Sequence, residues 1–152
     1  MRKGSRTILG LRALAVLTGG LVLTGGKCPG GGSPPSPDLF QILNDKVVQI
    51  EAANPTKAVA IAVATSKGVI PDKLVLRDDT HFAVWLVTGT SPTFTFKTSP
   101  HPFEVTCVDF LCASNTVAST GGAAQLDADY EIVFTPIGGA PAKADPHLEV
   151  VK

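Results

Sequence analysis

Between Val69 and Thr98 the chain reads VIPDKLVLRDDTHFAVWLVTGTSPTFTFKT, and this stretch constrains the fold more than any other. Apolar side chains alternate through Leu74-Val75-Leu76 and again through Phe82-Ala83-Val84-Trp85-Leu86-Val87. Phe94 and Phe96 continue the alternation after a break at Gly89–Pro92. Alternating β-branched and aromatic residues, cut by Gly, Pro and Asp, specify successive strands with one buried face.

The formal net charge of zero over 152 residues conceals an asymmetry. Arg2, Lys3, Arg6 and Arg12 fall in the first 26 residues, which contain no acid; the remainder holds nine bases against thirteen acids, a net charge of −4. An acidic domain lacks the basic face that phosphate backbones reward, so nucleic acid is excluded as a partner. The same balance argues against a polybasic patch on anionic lipid. A basic start, an apolar Ala13–Leu23 and small residues at Thr24-Gly25-Gly26 read as a secretory signal peptide over residues 1–26. The uncharged run is too short, and too interrupted by Gly19-Gly20, for the ~20 apolar residues of a membrane span.

Residues 27–37 hold Cys28 and a Gly/Ser/Pro-rich tether that cannot build a core. A Cys directly after an apolar segment and before such a tether resembles a bacterial lipoprotein, which makes Cys28 a candidate lipid anchor. The match departs where Gly25 and Lys27 stand in place of an aliphatic and a small residue. Ordinary cleavage with an unmodified Cys28 is the rival reading. Lipidation of Cys28 would be the chain's one route to a membrane.

Residues 38–152 form the folded domain. Leu39, Leu43, Val47 and Ile50 fit a helical face with Asp38 as N-cap, but the favoured reading is a hairpin of Val47–Ala53 and Ala58–Thr65 around Asn54-Pro55-Thr56-Lys57. Further strands are expected at Leu74–Arg77, Thr80–Thr88, Phe103–Phe110, Asn115–Ser119, Tyr130–Thr135 and His147–Val151, with Asp78-Asp79 as a turn. Seven to eight short strands indicate an all-β sandwich or barrel.

The order Ile70-Pro71, Val84-Trp85, Phe94–Phe96, Pro102–Glu104, Tyr130 and Asp145-Pro146 is similar to that of small cupredoxin-like domains of exported bacterial proteins. The resemblance covers roughly residues 58–152. It implies a Greek-key β-sandwich with Trp85 packed between its sheets. It does not carry over the family's copper site, which takes two His, a Cys and a weak Met. Gly89–Phe94 holds no His, Thr135–Asp145 holds no Cys, His or Met, and the sole Met is Met1.

Cys107 and Cys112 enclose four residues and are expected to form a disulfide in an oxidising compartment. Residues five apart on a flat strand face opposite ways, so the bond requires a turn near Asp109–Leu111. His81, His101 and His147 have no ligand spacing, and Glu104 with Asp109, or Asp127 with Asp129, read as surface acids framing strands. No nucleophile elbow or phosphate loop is present. The expectation is a non-enzymatic, exported envelope domain (periplasmic or extracellular) without cofactor or metal, structural or binding an unknown protein or small ligand. A copper-binding or electron-transfer protein is the alternative, and a hydrolase whose acids converge only in the fold is a weaker third.

Overall fold

The computed structural model describes residues 38–152; the expected signal peptide, the tether and Cys28 lie outside them. The first element is helix α1, Leu39–Ala53. Ten strands follow among the described residues: β1 Ala58–Thr65, β2 Gly68–Ile70, β3 Lys73–Arg77, β4 His81–Val87, β5 Gly89–Phe96, β6 Val105–Val108, β7 Leu111–Ser114, β8 Gln125–Pro136, β9 Ala142–Ala144 and β10 His147–Val151.

The expected strand at Val47–Ala53 is therefore corrected to the end of a helix. Asp38 starts it, its carboxylate accepting the amide hydrogens of Phe40 and Gln41, each at 3.1 Å. The 3–4 spacing of Leu43, Val47 and Ile50 wins over the β-branched pair Val47-Val48 because Leu43 and Ile50 gain a sheet to pack on. Freed from that hairpin, β1 pairs in parallel with β4, Ala58 opposite His81 through Ala64 opposite Val87. Asn115–Ser119 is not a strand either. Its backbone instead ties loops together, the Ala118 amide donating to His81 and the Ala118 carbonyl accepting from Asp79.

The strands make two mixed sheets, ordered β2-β1-β4-β7-β6 and β3-β10-β8-β5, with β9 on β8. Pro71 separates β2 from β3, so one apolar run edges the first sheet and then crosses to the second, where β3 runs parallel to β10. The facing surfaces enclose the main core, in which Trp85, Tyr130, Ile132, Leu76, Leu148 and Val150 are fully buried. Asp78 closes one end by accepting from both the amide (2.9 Å) and the hydroxyl (3.0 Å) of Thr120.

Strand β4 departs from the expected single buried face. Ala83, Trp85 and Val87 point into the sandwich, while Phe82 and Val84 pack outward with Ile50 and Ala113 in a second apolar cluster. The second cluster exists because α1 lies on the outer face of the first sheet. A strand covered on both sides reads as a continuous apolar run, and FAVWLV is such a run.

A groove between the helix and the outer sheet face

Helix α1 covers the β1–β4 side of the sheet, and the β6–β7 hairpin beyond it stays open. Between them lies a groove of about 870 Å³. Ile42, Ile50 and Ala53 of α1 form one wall; Phe82, Leu111 and Ala113 form the floor. Thr106 and Val108 of β6 form the far rim, and Val108 is 63% exposed. The size lies within the roughly 300–1,000 Å³ of small-ligand pockets, and an apolar floor with few polar groups matches their usual chemistry.

The polar groups of the groove are mostly engaged internally. The Thr106 hydroxyl donates to Asn115 Oδ1 at 2.8 Å, Ser114 Oγ accepts from the Ala83 amide at 3.0 Å, and Asn54 Nδ2 donates to the Ile50 carbonyl at 3.0 Å. Lys46, which reaches Gln49 Oε1 at 3.4 Å, and Asp109 are the charged residues of the lining. The lining contains neither His nor Cys. It offers burial and a few hydrogen bonds, and no activated nucleophile.

Cys107 and Cys112 stand directly opposite each other on β6 and β7 and are disulfide-bonded, their Cα atoms 4.0 Å apart. Asp109, at φ 51°, turns the hairpin between them. Their side chains point inward, on the face away from the groove, where Cys112 is also the cross-strand partner of Trp85.

The three histidines are not brought together. His81 Nδ1 accepts the Arg77 amide at 3.0 Å beside the Asp78-Asp79 turn. His101 stacks on Phe96 with rings 5.1 Å apart and meets Glu104 at 2.8 Å. His147 sits between Asp129 (2.8 Å) and Asp127 (3.1 Å), one carboxylate on each ring nitrogen. Hydrogen bonds to Asp129 and then Asp127 raise its pKa, and the two carboxylates engage both ring nitrogens. Elsewhere on that sheet Glu149 raises the pKa of Lys73, Glu131 that of Lys143, and Lys97 lowers that of Asp145, each chiefly by hydrogen bonding.

Among the described residues no three His, Cys, Asp or Glu side chains form a group able to hold a metal. The described residues do not fit a blue-copper centre: Cys107 and Cys112 are in the disulfide, and the histidines join no group able to hold a metal. Glu104 and Asp109 frame opposite ends of β6, whereas Asp127 and Asp129 share His147.

The groove was not foreseen from sequence, because it needs α1 to be a helix. The signal available was the apolar residues on both faces of Phe82–Val87. Comparison with protein-family models, with curated proteins and with solved structures finds no match to this chain.

Proposed function

We propose that this chain is a non-enzymatic, exported domain of the cell envelope that binds a ligand or partner through the groove between α1 and the β6–β7 hairpin. The groove carries this reading: it is the apolar concavity left where the helix covers only part of a sheet face. Export rests on the residue 1–26 pattern, and Cys28 is the candidate anchor.

The fold is proposed as a cupredoxin-like Greek key. Support comes from the non-consecutive neighbours in both sheets, since strands such as β4 and β7, or β10 and β3, pair only if the chain winds back and forth. The proposal includes no copper site, because the available donors are tied up or dispersed.

An apolar fluorescent dye such as anilinonaphthalene sulfonate tests the groove. Wild-type protein should bind it saturably, and Val108→Asp should weaken binding roughly tenfold by removing apolar contact and adding a like charge. Equal binding by that variant would contradict the reading. Its exposed position leaves the fold unaffected.

A further inference from the structure

Taking the groove between α1 and the β6–β7 hairpin as a binding site, we infer that its ligand is a monoacyl amphiphile with a zwitterionic phosphate–ammonium head, of the lysophospholipid kind. Lys46 meets the phosphate, Asp109 the ammonium, and the apolar floor the acyl chain.

The two charged residues of the lining stand at one end of the groove. Residues 54–57 link α1 directly to β1, whose first residue, Ala58, lies opposite His81, the first of β4. The C-terminus of the helix is therefore at the end of the sheet where β4 starts. Its N-terminal half reaches toward the end where β4 finishes, and Leu43 and Leu111 pack there against the outer apolar cluster. The β6–β7 hairpin turns at that same end: the Phe110 carbonyl accepts the Val87 amide at 2.7 Å, and Leu111 pairs with Leu86. Lys46, one turn along from Ile42, and Asp109, at the hairpin tip, thus flank the same mouth from opposite walls.

Neither charge is spent inside the protein. Among the described residues Lys46 Nζ reaches only Gln49 Oε1, at 3.4 Å, and neither Lys46 nor Asp109 enters an ion pair, with each other or with another side chain. An ammonium and a carboxylate facing one mouth call for a head that carries both signs. A purely anionic head would be attracted by Lys46 and repelled by Asp109.

Behind this mouth the lining is apolar. Leu111, Ala113 and Phe82 form its floor, with Ile50 and Ala53 beside them. From Lys46 to Ala53 the helix advances roughly 10 Å at 1.5 Å per residue, which accommodates a medium-length chain. At the far end the Thr106 hydroxyl is bonded to Asn115, and Asn54 to the Ile50 carbonyl, so no second polar head is required there.

The test uses the purified, oxidised protein and decanoyl lysophosphatidylethanolamine below its micelle concentration, with decanoylglycerol and decanoate as neutral and anionic controls. The zwitterion should bind saturably and about tenfold more tightly than decanoylglycerol, the effect of two partly exposed charge pairs. Lys46→Gln and Asp109→Asn should each weaken it about threefold to fivefold, and together abolish its advantage over the neutral head. Glutamine suits the helix and asparagine the φ of 51° at the hairpin tip, so dye binding in the groove should persist in both variants. Equal affinity for decanoylglycerol, or a preference that survives both substitutions, would overturn the headgroup assignment. Decanoate bound as tightly as the zwitterion would assign the site to an anionic amphiphile and overturn the ligand named here. Binding of none of the three amphiphiles, with dye binding intact, would overturn the acyl ligand and leave the groove standing. Absence of saturable dye binding in the wild type would remove the groove itself.

Discussion

Trp85 Nε1 donates a hydrogen bond to the Tyr130 hydroxyl at 2.8 Å, linking β4 of one sheet to β8 of the other inside the core. Both residues are fully buried, and their rings meet edge to face with centroids 5.5 Å apart. Phe94 stacks on Tyr130 at 4.7 Å, completing an aromatic layer. Burial pushes the Tyr130 hydroxyl up to about 12, against a smaller opposite effect of the Trp85 bond, so it stays protonated at any ordinary pH.

Tyr130→Phe keeps the ring and leaves the indole N–H without an acceptor. It should destabilise by about 1–3 kcal/mol, the penalty for an unsatisfied buried donor. Trp85→Ala should lose about 3–5 kcal/mol, because it removes the largest side chain of the core. Chemical denaturation of both variants measures this. A near-wild-type Trp85→Ala would mean the two sheets do not meet at this residue.

Reduction of the Cys107–Cys112 bond should change the emission of Trp85. Disulfides quench nearby indoles, and Cys112 sits across from Trp85. Opening it should raise fluorescence while the fold persists, since closing so short a loop contributes roughly 2 kcal/mol. Peptide mapping that found both cysteines alkylatable in unreduced protein would contradict the bond.

His147 should titrate above an ordinary histidine, because Asp129 and Asp127 stabilise its charged form. A raised folded pKa makes this contribution to stability complete below the unfolded value near 6.5, and it is lost as pH rises through the folded value. Asp129→Asn should lower the His147 pKa, and Asp127→Asn should lower it less. Imidazole proton shifts in NMR follow both. A His147 pKa unaffected by either change would mean the contacts are absent in solution.

Helix α1 is the element that the sequence pattern misassigns, since it favours the hairpin reading of Val47–Ala53 over the helix, and the reasons are physical. Val47-Val48-Gln49-Ile50 carries a β-branched local preference as well as a helical face, and neither prevails without knowing what it packs on. The strands Lys73–Arg77, His81–Val87 and His147–Val151 were legible because alternation and flanking turn residues agreed. The hairpin at Asp109 was legible as a condition of the cysteine pairing. The groove was not, because it depends on how far one helix covers a sheet. Asp38→Ala should cost about 1 kcal/mol through loss of the N-cap, readable as reduced helical ellipticity and stability. No change would mean that residues 39–53 are not held as this helix.

Amide shift mapping during titration with the apolar dye tests the central claim most directly. The account predicts that shifts converge on Ile42–Asn54, Phe82 and Thr106–Asn115, the segments that carry the walls and floor of the groove. Shifts of equal size around the exposed apolar residues Ile61, Ile70, Val75 and Ile137, or no saturable shifts at all, would contradict it.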